Sequence, residues 1–407
     1  MSPVSGFSSS WTSMGNISNP ETDDHKAASA PQIPRSDSIE SAKDILSRHP
    51  ELGILCRDER WRGESHDYCK TTFRPEIDIV YPSDLMLASI ADYYKTKYDI
   101  NIKIVSHDID LDDYSRPFEN PDYPDVLQSL TELAEELTDD SQMGVIVRFG
   151  RAHATPVIIR KHHQKCYLIV MDCVGLRDVK CYRENPIFCT ICEVVNNINS
   201  KCGEQRYLPV FTDLHRQSDN YSCKNDALLM LKDALREEDI MGKLDFYQES
   251  LESVLNVSYK LKLPASALVA RLPIFLHKTV QRKDVLDKIS PQAKRLPFRK
   301  TVAPATTTTK NLHDHLQRYT RPFTAVRTRG RRLFAEERKM ASAKNPHPVL
   351  WEKTVEEKTW QINTYPQQKS LKWVVKAYER LKTEDGKIDP AVRKNLLDLY
   401  IYQPKYV

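Results

Sequence analysis

The stretch MGVIVRFGRAHATPVIIRKHHQKCYLIVMD, residues 143–172, decides the fold of this 407-residue chain. It contains three apolar runs, GVIVRF, TPVIIR and YLIVMD, each with the length and β-branched content of a buried strand. A short polar turn near residues 161–165 separates the second run from the third, which is typical of an antiparallel hairpin. The three runs therefore predict neighbouring strands of one sheet.

Helical patterns and further strands lie on both sides of this stretch. Upstream, PSDLMLASIADYYKTKY predicts a helix capped by Ser83 or Asp84, INIKIVS a strand, and VLQSLTELAEEL a second amphipathic helix. Downstream, IFCTICEVVNNIN predicts a helix, YLPVFTD a strand, and the residues after Cys223 a further helix. Helices around a partly antiparallel sheet predict the α+β class.

Four residues that together can activate a thiol follow one another along the chain: His153, Asp172, Gln217 and Cys223. A neutral thiol attacks poorly, so an imidazole must accept its proton and a carboxylate must hold that imidazole in the correct tautomer. Cys223 stands at a predicted helix start, where a backbone N–H and the helix dipole stabilise an oxyanion, and Gln217 adds a second donor. The order predicts a cysteine nucleophile.

Other residues compete for these roles. His162 and His163 are alternative bases, but they fall in the polar turn between two predicted strands. Asp178 and Glu184 are alternative carboxylates, but neither closes an apolar strand. The pattern therefore favours His153 and Asp172.

A CxxC motif raises the alternative of a zinc site. It consists of Cys189 and Cys192, with Cys181 and Cys202 nearby. Structural zinc usually takes two such pairs across a defined loop. Here the motif falls in an apolar helical run, so we expect core-facing thiols and no metal.

Composition limits the class of protein. A hydrophobic fraction of 40% supports a sizeable core. No apolar run reaches the roughly 18–20 residues that span a bilayer, and no general signal peptide is visible. We expect the nine cysteines to be reduced thiols in a cytosol. The basic segments lack the interleaved aromatic residues of a nucleic-acid module, so no nucleic-acid partner is expected.

The chain divides into three parts. Residues 1–45 are rich in Ser, Pro, Asn and Thr and are expected to be disordered. Residues 46–258 contain the predicted catalytic core with helices preceding it. Residues 259–407 begin with basic, proline-punctuated segments and end in helical patterns at 371–382 and 390–400, which predicts a mostly helical regulatory region.

The His–Asp–Gln–Cys order resembles the clan of ubiquitin-like-protein cysteine proteases, and within it the chain is most similar to the YopJ family of bacterial effector acetyltransferases. DLMLASIADYYKTKYDINIKIVS at 84–106 resembles the first helix and strand of that family, and LPIFLHKTVQRKDVL at 272–286 resembles its regulatory segment. The resemblance covers about residues 75–290. It implies a catalytic core of the ubiquitin-like-protease type.

The resemblance also implies roles for individual residues. Cys223 would take acetyl from acetyl-CoA, His153 would act as general base, Asp172 would orient the imidazole, and Gln217 would donate to the oxyanion. Lys278 falls on a lysine that members of the family acetylate on themselves.

The family is activated by inositol hexakisphosphate (IP6), and basic residues near and beyond Lys278 are candidates to bind it, because lysine and arginine pair with phosphate. The candidates are Lys278, Lys283, Lys288, Arg327, Arg329, Arg331 and Arg332. The resemblance further implies a bacterial protein that is injected into a host cell, with residues 1–45 as the secretion segment. Its substrates would be host signalling or immune proteins in the host cytoplasm, at a membrane or in the nucleus.

Two positions depart from the family. Asp172 stands where the family usually has Glu, and Lys224 stands where it usually has Gly after the nucleophile. Lys224 supports an alternative in which the site is inactive and the protein only binds a partner.

A second alternative is a protease that removes ubiquitin or SUMO, since it would use the same four residues. Such proteases commonly carry Trp directly after the catalytic histidine and line the substrate tunnel with Trp. Here Ala154 follows His153, and residues 62–350 contain no Trp. The sequence therefore favours acetyl transfer.

Overall fold

A mixed β-sheet between two layers of helices organises the chain. The computed structural model describes residues 36–56, 60–64, 68–75, 79–107, 123–149, 153–173, 175, 191–192, 195–196, 199–200, 206–213, 216–217, 222–247, 267–298, 311–332 and 351–403. The strands are β1 Gly53–Cys56, β2 Arg60–Glu64, β3 Tyr68–Pro75, β4 Ile79–Pro82, β5 Ile102–His107, β6 Gln142–Phe149, β7 His153–His162, β8 Lys165–Val170, β9 Tyr207–Thr212, β10 Asp245–Phe246, β11 Leu268–Arg271, β12 Thr320–Arg332, β13 Trp351–Asn363 and β14 Ile401–Tyr402. The helices are α1 Ser36–Arg48, α2 Asp84–Tyr98, α3 Tyr123–Glu135, α4 Cys223–Ala234, α5 Lys283–Asp287, α6 Pro291–Arg295, α7 Leu312–Tyr319, α8 Tyr365–Leu381 and α9 Pro390–Tyr400.

The central sheet has eight strands in the order β10-β11-β9-β8-β7-β6-β5-β14. Strands β6, β7 and β8 form an antiparallel meander. Strands β5 and β14 continue the sheet in parallel on one side, and β9 and β11 do so on the other. A mixed sheet flanked by helices confirms the α+β class and the strands predicted from residues 143–172.

The strands that carry the site are buried on both faces. Ile146 and Ile158 belong to one core, whereas Val145 and Val157 belong to the other, as expected when successive side chains point to opposite faces. This explains why the strands read as continuous apolar runs rather than as alternating patterns. At the predicted hairpin turn, His163 and Gln164 have left-handed backbones, with φ of 49° and 63°.

Helices cover both faces of the sheet. The first core includes Leu228 of α4 and Val374 of α8 together with α2, whereas the second includes Leu130 of α3 and Ile191 of a helical stretch whose described residues lie between 191 and 200. Ser83 caps α2 by accepting a hydrogen bond from the Met86 backbone N–H, as predicted. None of the helices in the described ranges is long and apolar enough to cross a membrane.

The structure corrects the sequence analysis near the N-terminus. Helix α1 begins at Ser36, inside the segment 1–45 that we expected to be disordered. Ala42, Ile45 and Leu46 of this helix are buried in the first core. These apolar side chains bury enough surface to hold the helix in place, although the segment as a whole is polar in composition. Residues 1–35 lie outside the described part of the chain.

A second correction concerns residues 259–407, which we expected to be mostly helical. Their helices are joined by the long antiparallel pair β12 and β13, which continues through β3 to β2 as a separate four-stranded sheet. Strand β11 also belongs to the central sheet through β9, so the sheet extends past the expected boundary at residue 258. These strands escaped prediction because charged residues interrupt the apolar periodicity of the long pair.

Candidate active site

Strand ends and a helix start bring the predicted catalytic residues together. His153 is the first residue of β7, and Asp172 lies two residues beyond the end of the adjacent strand β8. Cys223 is the first residue of α4, so its backbone N–H points out of the helix start. The local sequence thus places a base and a carboxylate at the same end of two central strands, and a thiol at the start of a helix.

The imidazole of His153 is held by a buried carboxylate. Its Nε2 lies 2.8 Å from Oδ2 of Asp172, whose side chain is only 4% exposed. The hydroxyl of Thr155 donates to the same oxygen. Two hydrogen bonds fix the carboxylate, and the carboxylate in turn fixes the ring and its tautomer.

The other partner of His153 is the thiol of Cys223. Burial works against the imidazolium form, but the Asp172 carboxylate and a hydrogen bond with the Cys223 side chain outweigh it and raise the pKa of His153 well above its ordinary value. A raised pKa favours the imidazolium that forms when the ring accepts the thiol proton. The arrangement is therefore suited to generate a thiolate.

A second thiol, Cys173, also lies in the site, with its Sγ within 4.8 Å of the ligand atoms of His153 and Asp172. Burial, followed by the negative charge of Asp172, raises the pKa of Cys173 well above its ordinary value. It therefore stays protonated, and the thiol hydrogen-bonded to His153 is Cys223. The hydrogen bond with His153 makes Cys223 the candidate nucleophile of the two thiols.

Gln217 is connected to the site by hydrogen bonds with Cys173. The Cys173 thiol donates to Oε1 of Gln217 across 2.7 Å, and the Gln217 backbone N–H donates to the Cys173 carbonyl across 3.3 Å. Both residues lie on segments that flank Asp172 and Cys223 in sequence. Gln217 thus stands within the cluster that the sequence predicted.

Arg216 is a buried cation that the sequence analysis missed. Its guanidinium is fully shielded from solvent and donates to the carbonyls of Met171 and Asp172 across 2.8 and 3.2 Å. It also forms an ion pair of 2.5 Å with Asp226, one turn into α4. Arg216 therefore clamps the carboxylate segment to the helix of the nucleophile.

Lys224, which follows Cys223 directly, anchors α4. Its Nζ donates to the Pro82 carbonyl across 2.9 Å and lies 3.9 Å from the centroid of the Tyr81 ring. The amide of Asn225 donates to the Val80 carbonyl. Both contacts dock the first turn of the nucleophile helix on β4, which gives Lys224 a structural role at this position.

Arg148 is a further cation that the sequence analysis did not single out. It is buried on β6 and pairs with Asp84 at the first residue of α2. Burial lowers its pKa, whereas the nearby Tyr81 and Cys223 act in the opposite direction. Arg148 therefore places a buried positive charge close to Cys223. A lone arginine inside the apolar run GVIVRF was the available signal.

The alternative residues lie elsewhere or outside the described part of the chain. His162 is at the opposite end of β7 from His153 and pairs with Asp140 on the surface. Asp178, Glu184 and the cysteines of the zinc alternative fall outside the described residues, apart from Cys192, which is buried.

The basic residues predicted to bind the activator lie on different elements. The ammonium of Lys278 pairs with Asp233 across 3.0 Å and lies 4.5 Å from the Phe298 ring centroid. Lys283 and Lys288 are exposed near α5. The four predicted arginines lie on the backbone of β12: Arg327, Arg329, Arg331 and Arg332.

A different set of cations converges where α2, α4 and α8 meet, and we call it the lysine–tyrosine surface. Its cations are Lys97, Lys232, Arg236, Lys369, Lys372 and Lys376, and its tyrosines are Tyr93, Tyr94, Tyr98 and Tyr365. Among the described residues, Lys232 is the one cation of this set that forms an ion pair, with Asp233. The nearby carboxylates therefore neutralise only part of the positive charge of this surface.

Distances within the lysine–tyrosine surface show that it is continuous. Nζ of Lys97 lies 3.0 Å from the hydroxyl of Tyr93, and Nζ of Lys376 lies 4.2 Å from the centroid of that ring. The guanidinium carbon of Arg236 lies 4.7 Å from the Tyr98 ring centroid. Burial, then Lys232 and the neighbouring lysines, lowers the pKa of Lys369 to about 8. Such mutual repulsion is relieved when an anion binds.

Comparisons with known proteins give structural neighbours only. No family model matches the chain, and no curated protein matches it. Among solved structures, two effectors of the YopJ family are similar to it. A deletion variant of AvrA with IP6 and CoA has a TM-score of 0.45 and 10% identity, covering 84% of this chain and 96% of that one. HopZ1a in complex with IP6 and CoA has a TM-score of 0.41 and 11% identity, covering 71% and 82%. The Ulp1 protease domain in complex with SMT3, the yeast ortholog of SUMO, has a TM-score of 0.25 and 10% identity, covering 58% and 90%.

Proposed function

We propose that the protein is an acetyltransferase that moves acetyl from acetyl-CoA to Cys223 and then to a Ser, Thr or Lys of another protein. The observation that carries the proposal is the meeting of Cys223, His153 and Asp172 at the start of α4. A thiol, a base and a buried carboxylate in this arrangement form a nucleophile for acyl transfer.

In the first half of the reaction, His153 accepts the proton of the Cys223 thiol, and the thiolate attacks the thioester carbonyl of acetyl-CoA. The backbone N–H of Cys223 and the amide of Gln217 donate to the oxyanion that forms. The carbon–sulfur bond to CoA then breaks, and the imidazolium returns the proton to the leaving CoA thiolate. Acetyl remains as a thioester on Cys223.

In the second half, a hydroxyl or amine of the acceptor takes the place of CoA. His153 removes its proton as the oxygen or nitrogen attacks the acetyl thioester, and the thiolate of Cys223 leaves. Asp172 holds the imidazole in one orientation through both halves, since its carboxylate is fixed by Thr155 and by the burial around it.

Two features favour an acyl donor rich in phosphate over the tail of a ubiquitin-like protein. Ala154, the residue after His153, is fully buried in the sheet and offers no wall for a peptide tunnel. Cationic side chains lie both beside the nucleophile, at Arg148, and along the lysine–tyrosine surface. The deconjugating protease remains the second candidate, because the same thiol would serve it.

We also propose that IP6 binds at the lysine–tyrosine surface and activates the enzyme. The surface has six cations, of which one pairs with a carboxylate among the described residues. Such a surface suits a ligand with six phosphates better than the arginines of β12, which were candidates in the sequence analysis. The lysines repel one another without a ligand, and phosphates pair with lysine and arginine. Helix α4 joins this surface directly to Cys223.

Delivery into a host cell and action on host signalling or immune proteins complete the proposal. An activator that is present in the host and scarce in the bacterium would keep the enzyme silent before delivery. The sequence resemblance to bacterial effectors supports this part.

Incubation with radiolabelled acetyl-CoA, with and without IP6, tests the proposed function. Label on the wild-type protein that depends on IP6 and is lost in Cys223→Ala is the expected result. Cys166→Ala is the matched control, because Cys166 is a buried thiol in the other core and should keep its label. A ubiquitin or SUMO probe that traps Cys223, with no label from acetyl-CoA, would favour the protease instead.

A further inference from the structure

We propose that Cys173 is a positioning residue: its thiol holds the side-chain oxygen of Gln217, so that the amide NH2 of Gln217 faces the oxyanion formed at Cys223. The inference rests on the proposed acyl transfer. It adds a residue whose role no pattern in the sequence indicated, since Cys173 reads there as one more small apolar side chain after Asp172.

The contact between the two residues is direct and reinforced by the backbone. Sγ of Cys173 lies 2.7 Å from Oε1 of Gln217. The Cys173 carbonyl accepts hydrogen bonds from the backbone N–H groups of Arg216 and Gln217, across 2.7 and 3.3 Å. The segment that carries Gln217 is therefore tied to Cys173 at both side chain and main chain.

The amide of glutamine needs such a contact because it is two-faced. One side of the group is an oxygen acceptor and the other is a donor, and a half-turn about the last side-chain bond exchanges them. An oxygen turned toward the oxyanion would repel it, whereas the NH2 stabilises it. A donor that occupies Oε1 selects the productive orientation before the reaction begins.

Cys173 can serve as this donor because it keeps its proton. Burial and the charge of Asp172 raise its pKa well above the ordinary value, so the thiol is neutral across the working pH range. A thiolate at this position would instead repel Oε1. The same environment keeps Cys173 from competing with Cys223 as a nucleophile.

The test compares two reactions of Cys223 that differ in one respect. Acylation passes through an oxyanion, whereas alkylation by iodoacetamide needs the thiolate but forms no oxyanion. Acylation is measured with acetyl-CoA and, independently of any CoA site, with p-nitrophenyl acetate. The variants are Cys173→Ala, Cys173→Ser and Gln217→Ala, with Cys166→Ala as the matched buried-thiol control.

We expect Cys173→Ala to slow acylation of Cys223 about tenfold while alkylation stays within about twofold of wild type. Gln217→Ala gives the largest loss that is expected through this contact, since removal of an oxyanion donor slows acylation about 10²–10³-fold. Cys173→Ser should recover most of the rate, because its hydroxyl also donates to Oε1. In the Gln217→Ala background, Cys173→Ala should have no further effect on acylation.

Three results would overturn the inference. Equal losses in acylation and alkylation would show that Cys173 only supports the structure. Additive losses in the double variant would show that it does not act through Gln217, and full acylation in Cys173→Ala would show that the contact is dispensable. A wild-type protein that reacts with p-nitrophenyl acetate but not with acetyl-CoA would refute the proposed function and still allow this comparison. Reaction with iodoacetamide alone would refute both.

Discussion

The two ends of helix α4 differ in how their charges are balanced. At its start, Cys223 lies among charged groups that are paired with each other. His153 pairs with Asp172, and Arg216 pairs with Asp226. At its other end, about 18 Å away at 1.5 Å per residue, the charge of Asp233 is shared with Lys232 and Lys278. Further lysines beyond them have no carboxylate partner among the described residues.

This difference separates a site whose charges are paired within the protein from a surface whose positive charges would be paired by the anion that we propose to bind there. Fixed dipoles and ion pairs stabilise a transition state only when they need no rearrangement, which the start of α4 satisfies. A cluster of like charges is the opposite case, because it becomes favourable only when an anion enters. Helix α4 connects the two ends, so the anion that we propose would bind at one end of the helix that carries Cys223 at the other.

The largest expected effect removes the charge that organises the start of α4. Asp172→Asn keeps the shape of the side chain but can no longer select the reactive tautomer of His153, so we expect acylation of Cys223 to slow by roughly 10³–10⁴-fold. Single-turnover acylation measures the effect, and thermal unfolding controls for the fold. A loss below about tenfold would contradict the role of Asp172.

The second prediction concerns the buried clamp. Arg216→Met leaves the buried carboxylate of Asp226 without its partner, so we expect the free energy of unfolding to fall by about 3–5 kcal/mol. Replacing both residues, as Arg216→Met with Asp226→Leu, should recover part of this loss, because no lone charge remains. Urea unfolding measures both variants. A single substitution that costs less than about 1 kcal/mol would argue against a buried ion pair.

The start of α4 was predictable because its signals are local. Apolar runs long enough for buried strands placed His153 and Asp172 at strand ends, and the helical pattern placed Cys223 at a helix start. Arg216 was not predictable, since an arginine in a polar stretch resembles a surface residue. Its burial depends on carbonyls and on Asp226, which come together only in three dimensions.

The lysine–tyrosine surface gave no local signal either. Its residues come from three helices that are far apart in sequence and from the turn that follows α4, and each cation alone resembles an ordinary solvated side chain. The four arginines between residues 327 and 332, in contrast, are close together in sequence, which is the kind of local signal that a sequence shows. They lie on strand β12, where Arg327 is opposite Glu356 and Arg331 is opposite Glu352 of β13, so two of the four have an acidic residue at the paired position.

The third prediction decides between these two basic regions. Lys372→Glu with Lys376→Glu should weaken IP6 binding about 100-fold, since two charge-assisted contacts with phosphate would be lost, at about 1.5 kcal/mol each. Arg329→Glu with Arg331→Glu changes the net charge equally and should weaken binding much less. Calorimetry at fixed ionic strength measures both. The reverse order of affinities would return the activator to β12.

The smallest effect follows from the titration of Lys369, whose pKa is lowered to about 8 by burial and by the neighbouring lysines. A bound polyanion would raise this pKa, so binding takes up a proton, about half of one near pH 8. Well below pH 8, Lys369 is charged with or without ligand. Above pH 8, the free protein loses a proton that the complex keeps. Affinity should therefore fall as the pH rises from 7 to 9, by no more than about tenfold on this account.

Titration of IP6 itself also contributes to this pH dependence, but equally in a Lys369→Met variant. The measurement is therefore a difference: calorimetry of both proteins at pH 8 in buffers of different ionisation enthalpy. Wild type should take up more protons than Lys369→Met. Equal uptake would mean that the anion does not reach Lys369, and that the end of α4 is balanced by something other than a phosphate ligand.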